Sequence, residues 1–269
     1  MRSVKMVGLC LFVGLFLGSI GVATASAAFP EFGTCTKLST MTGKWTDNKC
    51  TMESAGKKGL FEFEPLATVT KFESTIGEVL LELEKGNVNC KEGKDEGKTS
   101  SGQNATHVNI VIKLLKCTAK GGVEKCTTPG AKEGEIVFKE LKGWLIYVEK
   151  KPRTTKKAGL FVEPETGLFT EWECGLGLFA VKVLKNTGMF SNRCLAGEIT
   201  PINEAVEKFA LTFAIIAKQQ AIKEFEYLGF TVKCQLEAEV EAGKIENLNI
   251  SLVDTTTWLP AGTKIEVKS

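Results

Sequence analysis

FTVKCQLEAEVEAG, residues 230–243, sets the fold class. Phe230, Val232, Cys234, Leu236, Ala238 and Val240 fall on one side of an extended chain. Thr231, Lys233, Gln235, Glu237, Glu239 and Glu241 fall on the other. A period of two over this length reads as one long strand with one buried face. The alternation recurs outward along the chain. EVLLELE turns Val79, Leu81 and Leu83 inward, and HVNIVIKLLKC does so with Val108, Ile110, Ile112 and Leu114. EKFALTFAI offers Phe209, Leu211, Phe213 and Ile215, and NLNISLV offers Leu248, Ile250 and Leu252. The stretch 143–175 reads as three strands and two turns, with KKPRTTKK as a solvated hairpin tip. Short strands between Gly, Pro, Asn and Lys-rich turns predict an all-β fold, mainly antiparallel, sandwich or barrel-like, with at most one short helix. The place for that helix is IIAKQQAIKEFEYL (215–228), rich in helix formers with apolar spacing near four. KEGKDEGKTSSGQNAT (91–106) is polar and glycine-rich, and predicts a mobile surface loop.

Compartment follows from the first 28 residues. Arg2 and Lys5 precede an apolar run, Val7 to Val22, and Ala25-Ser26-Ala27 supplies small residues at a cleavage spacing. That is the pattern of a secretory signal peptide, cut near Ala27 or Ala28. The run is short of the ~20 residues that span a bilayer, and no later stretch qualifies. The expectation is a secreted chain with no transmembrane segment after cleavage, residues 29–269 forming a single β-rich domain. Two β units meeting near 150–158 are the alternative. Without Arg2 and Lys5 the chain carries 32 basic and 32 acidic side chains. That balance gives no electrostatic case for nucleic acid or an anionic membrane.

With Cys10 removed in the signal, eight cysteines remain: Cys35, Cys50, Cys90, Cys117, Cys126, Cys174, Cys194 and Cys234. The even number and the oxidising compartment predict disulfides. There is no C-x2-C pair and His107 is the one histidine, so zinc and thioredoxin-type chemistry are disfavoured. Eight cysteines allow 105 pairings. Proximity favours Cys35–Cys50 and Cys117–Cys126, the others pairing among themselves.

Catalytic signatures are missing. The sequence has no G-x-S-x-G, H-E-x-x-H, Walker loop or G-x-G-x-x-G. Its three aspartates, Asp47, Asp95 and Asp254, are too scattered for a calcium loop. The glutamate pairs Glu62/Glu64 and Glu171/Glu173 each share one strand face, Cα atoms about 6.6 Å apart. Glycosidase carboxyls need roughly that separation, but also unlike environments, which neighbours on one face rarely get. A solvated strand face is the simpler reading. Phe61, Phe63, Phe161, Phe169, Trp172 and Phe179 read as core, and Trp45 as a plug against the Cys35–Cys50 bridge. No catalytic, cofactor-binding or metal-ligating residue is assigned, and no cofactor is expected.

FPEFGTC, GKWTDNKCT, KCTTPGAKEGEIV, EWECG and ITPIN occur in that order. The chain resembles an uncharacterised family of secreted, disulfide-containing, β-rich proteins from soil actinobacteria. Their marks are P-E-F-G-x-C, G-x-[WY]-x-D-x-x-C and C-x-T-P-G-A-x-x-G-E-I. The resemblance implies export, disulfides and no transferable catalytic residue. Cys194 and Cys234 depart from the usual pattern and hint at an extra bridge. The functional expectation is a non-catalytic secreted or cell-surface protein, either a module that binds an extracellular glycan or protein or an envelope-associated structural one. The alternatives are a carbohydrate-active hydrolase using a glutamate pair, such as Glu171 or Glu64 with a partner from another strand, and a protease inhibitor presenting residues 118–125.

Overall fold

The computed structural model describes residues 29–101, 107–148, 157–165, 167–175, 179–184, 193–227, 230–241 and 243–269. The leader 1–28, the NAT stretch at 104–106 and all of KKPRTTKK except Lys157 lie outside them. In chain order the strands are β1 (Glu31–Lys37), β2 (Phe61–Pro65), β3 (Lys71–Ile76), β4 (Val79–Leu83), β5 (Gly86–Thr99), β6 (His107–Ala119), β7 (Glu124–Thr127), β8 (Ile136–Val137), β9 (Leu141–Tyr147), β10 (Ala158–Pro164) and β11 (Thr170–Cys174). They continue with β12 (Phe179–Val183), β13 (Leu195–Thr200), β14 (Lys208–Phe213), β15 (Ile215–Ile216), β16 (Gln219–Gln220), β17 (Glu224–Tyr227), β18 (Phe230–Lys233), β19 (Leu236–Glu241), β20 (Lys244–Leu259) and β21 (Glu266–Lys268). The fold is all-β, and among the described residues the only helical element is a single 3-10 turn, Lys120–Gly122.

Strand pairing closes on itself twice. One ring runs β3–β5–β6–β9–β10–β13–β14–β20 and returns to β3. A second runs β4–β5–β6–β7–β11–β12–β19–β20 and returns to β4. Both are eight-stranded antiparallel barrels, and closure leaves no free sheet edge within them. They share the three longest strands, β5, β6 and β20, of 14, 13 and 16 residues. β3 and β4 lie end to end between β5 and β20, broken at Gly77-Glu78. On β20, Glu246, Leu248, Ile250, Leu252, Asp254, Thr256 and Trp258 keep one phase and all are buried. One continuous apolar core therefore fills both barrels.

A separate sheet, β2–β1–β21, lies against the far end of the first barrel. Phe32 and Val267, opposite each other in its ladder, join the barrel core. Phe32 meets Trp258 edge-on at 5.8 Å, and Phe72 and Phe209 ring the same indole. A second apolar cluster lies outside the first barrel. The hairpin β17–β18 covers β9 and β10 there, stacking Phe225 on Phe161 and Phe161 on Trp144.

Several expectations change. Residues 91–99 are not a loop but the second half of β5. The glycines that suggested a loop sit where side chains are refused: a Cβ on Gly97 would fall 2.3 Å from the Phe72 ring and 2.2 Å from the Asn109 carbonyl. Within 215–228, the described residues 215–227 hold no helix. Ala217 and Lys218 both take left-handed φ, 50° and 59°, which turns the chain into the β15–β16 hairpin. The opening stretch 230–243 is two strands, not one. Its alternation continues through a break at Cys234-Gln235, with Val232 and Cys234 in the outer cluster and Leu236, Ala238 and Val240 in the barrel.

Cys117 does not bond Cys126. The disulfides are Cys35–Cys50, Cys90–Cys117, Cys126–Cys174 and Cys194–Cys234. Register decides the middle two: Cys90 lies directly opposite Cys117, and Cys126 directly opposite Cys174. Both staples face the interior of the second barrel.

Candidate functional site

The open end of the second barrel forms a groove of ≈ 1010 Å³. It is built by the β4–β5 turn, the 3-10 turn before β7, the start of β12 and the outer face of β20. The strand register explains its chemistry. Val88 and Leu248 point into the core, so Asn87, Asn89, Asn247 and Asn249 point out. β4 lies between β5 and β20, placing Glu82 opposite both Asn87 and Asn249. Neighbouring strands are about 4.8 Å apart, so these side chains form one row.

Asn249 is committed internally, its Nδ2 donating to the Lys218 carbonyl at 3.0 Å. Its Oδ1 accepts from Gln235 Nε2 at 3.4 Å. Asn87, Asn89 and Asn247 are exposed, with no intramolecular hydrogen bond from their amides among the described residues. Three lysines, Lys85, Lys120 and Lys218, balance three glutamates, Glu82, Glu84 and Glu124. Lys120 pairs with one oxygen of Glu124 at 2.7 Å. The other Glu124 oxygen and Glu82 Oε2 are covered and unpartnered. Phe179, half buried against the core, supplies the groove's aromatic surface.

The β15–β16 hairpin reaches this site through Gln220. On that flank of β20 the ladder to β19 ends at Leu248 and the ladder to β14 begins at Leu252. Gln220, 2% exposed, fills the gap. Its Nε2 donates to the Ile250 carbonyl at 3.1 Å, and Ile250 N–H donates to its Oε1 at 3.0 Å. A side-chain amide thus replaces a missing strand, and holds Lys218 at the groove.

The first barrel contains a different constellation. Asp95 and Asp254, 6% and 5% exposed, hydrogen-bond to each other inside the barrel. Ser74 and Thr256 complete the group, their hydroxyls 3.0 Å apart. Burial, then the neighbouring Asp95 charge, pushes Asp254 up to about 9. Burial also raises Asp95, against the Ser74 and Asp254 hydrogen bonds. No lysine or arginine among the described residues pairs with either. The adjoining apolar cavity measures ≈ 20 Å³, room for about one water.

Of the carboxylates singled out in the sequence, Glu171 and Glu173 occupy an outer strand face, and Glu62 and Glu64 share the phase of Phe32 in the β2–β1–β21 sheet. Glu62 accepts from the Lys44 amide at 2.8 Å, and Glu64 lies opposite Thr34. Glu171 lies opposite Lys182, and Glu173 opposite Thr127, with Trp172 turned into the barrel between them. Neither pair lines the groove. Trp45 is half buried with Lys44 and Lys268 over its ring at 4.8 and 4.5 Å. No group of three or more metal-ligating side chains occurs among the described residues. The segment 118–125 is the β6–β7 hairpin, and no disulfide closes it.

The groove amides were legible as outward residues in NVN and NLN, but only the placement of β4 unites them. Asp254 had a clearer signal: it shares the inward phase of Leu252 and Trp258. Compared with known proteins, the chain matches no family model, no curated protein and no solved structure.

Proposed function

We propose that the protein is an exported, non-catalytic binding module that takes an uncharged, hydroxyl-rich ligand, an extracellular glycan, in the groove at the open end of the second barrel. The observation that carries this reading is the row of free amides beside a balanced set of charges. An amide offers a donor and an acceptor together, which suits hydroxyls and gives no preference for either sign of charge. Four disulfides suit an oxidising compartment, consistent with the signal-like leader and the resemblance to secreted proteins. The test is a glycan array followed by titration calorimetry. Replacing Asn87, Asn89 and Asn247 together with Ala removes three contacts of about 1 kcal/mol each, roughly a hundredfold in affinity. A bound glycan whose affinity ignores all three changes refutes the site, and binding of a protein instead of any glycan refutes the ligand class.

A second reading is supported by Glu82 and Glu124, which line the groove and each keep an unpartnered, covered oxygen. It is a glycoside hydrolase with those two carboxyls in the acid and base roles. Release of reducing ends, abolished in Glu82→Gln and in Glu124→Gln, would establish it; no release from any bound glycan removes it.

A further inference from the structure

Glu266 is the least accommodated charge-bearing group of the described chain. It is 0% exposed, and neither carboxyl oxygen has a hydrogen-bond partner. Its place follows from the β2–β1–β21 ladder. Val267 and Phe32 face the barrel, so Glu266 and Lys268 face the opposite way, together with Gly33 and Cys35 of β1. Gly33 lies directly opposite Glu266, and the Phe63 ring occupies the space that a Cβ on Gly33 would need, 2.5 Å away. Over this face sits the turn between Trp45 and Met52. Asp47 knots that turn, its carboxylate accepting from the amides of Thr51 and Met52 at 2.9 and 2.8 Å. Lys268 clasps it from below, donating to the Cys50 carbonyl and lying over the Trp45 ring at 4.5 Å. The Cys35–Cys50 disulfide tethers it covalently.

We infer that this turn is a proton-controlled clasp: it closes over Glu266 when that carboxyl is neutral, and lifts on its disulfide tether when the carboxyl ionises. A neutral acid tolerates the dry face, whereas an unpaired carboxylate does not. The charged groups at this face are Lys268 on β21, Glu31 and Lys37 on β1, and Asp47 and Lys49 in the turn, Lys49 pairing with the exposed Glu204 at 3.4 Å; Phe61 and Phe63 of β2, which share the face, carry none. Burial, the largest influence, moves Glu266 up to about 7, with Lys268 pulling down and Asp47 pushing up. A raised value in the closed state means that closure is complete below the ordinary value of 4.5 and is lost as pH rises through about 7. Fully relieved, the opening constant rises up to about 300-fold across that range, about tenfold per pH unit in its middle. Opening bares Trp45 and the outer face of β1 and β21, so the clasp would gate that surface independently of the groove.

Hydrogen exchange of the segment 44–53 in the full mature protein, corrected for the intrinsic pH dependence of exchange, reads the clasp. Protection should fall steeply between about pH 5 and about pH 8, while β20 stays protected. Glu266→Gln keeps the shape, cannot ionise, and should hold protection flat over the same range. Lys268→Gln removes the nearby cation and should move the midpoint upward. Equal pH dependence in wild type and Glu266→Gln overturns the inference, as does a wild-type segment whose protection does not change with pH.

Discussion

Replacing both Asp95 and Asp254 with Asn should make the protein more stable at neutral and alkaline pH, and the gain should grow with pH. In the folded barrel the two carboxyls hold at least one proton between them; in the unfolded chain both titrate near 3.8. A raised folded value gives stability that is complete below 3.8 and is lost as pH rises through about 9. Between those limits the native state binds one more proton than the unfolded state. Stability then falls by about 1.4 kcal/mol per pH unit, and this slope does not depend on where the upper limit lies. From about pH 5 to about pH 8 the wild type therefore loses about 4 kcal/mol that the doubly substituted protein keeps. Two facing amides fill the same volume and can hydrogen-bond to each other, to Ser74 and to Thr256. The assay is guanidinium unfolding at several pH values with disulfides intact, comparing the two proteins at each pH. Glu266 adds a slope of its own, but it is present in both and cancels in the difference. Parallel stability curves across this range would refute the proton-bound pair.

Trp258→Ala should cost about 3–5 kcal/mol, because its 1% exposed indole fills the junction of Phe32, Phe72 and Phe209. Trp258→Phe should cost far less in the same denaturation assay, since the indole N–H has no partner to lose. Gln220→Ala strips Ile250 of both backbone partners on that flank, leaving two buried groups at about 1–3 kcal/mol each. Its loss of stability should come with faster exchange at Ile250, which distinguishes an opened ladder gap from a general weakening.

How far the sequence could be read depends on whether a rule is local. Alternation is local, and it located β4, β6, β14 and β20 because each has one buried face. Gly93 and Gly97 hid β5: they are small because Leu114, Ile76 and Phe72 reach across them, a fact about other strands. Alternation also could not show that Cys234 and Leu236 sit in different clusters, since a break that preserves phase leaves no mark. Proximity misassigned Cys117 because antiparallel register, not sequence distance, brings Cys90 opposite it. The groove also required long-range information, as its amides come from β5 and β20 and adjoin only through β4. Closure into two barrels rests on β3 and β4 meeting β20, pairs about 180 residues apart along the chain.

The uneven placement of the disulfides gives the last test. The first barrel is capped by β1 and β21 and filled by Trp258. Apart from the shared strands, its wall carries no disulfide between paired strands among the described residues; the bridge at that end, Cys35–Cys50, joins the cap to a turn. Among the described residues no sheet caps the second barrel, and it is the one with two cross-strand bridges in its wall, Cys90–Cys117 and Cys126–Cys174. A rim without a cap must be held from the side if the groove is to keep its shape before a ligand arrives, and preorganisation of that kind lowers the cost of binding. Cys90–Cys117 closes a separation of 27 residues, and its removal by paired Ala substitution should cost about 3–4 kcal/mol. The loss should also be local. Exchange should rise in 83–90 and 117–124, which form the groove rim, and stay unchanged in β9 and β10 on the other barrel. If the two barrels instead loosen equally, the shared strands transmit the strain and the staple serves the whole core, not the groove.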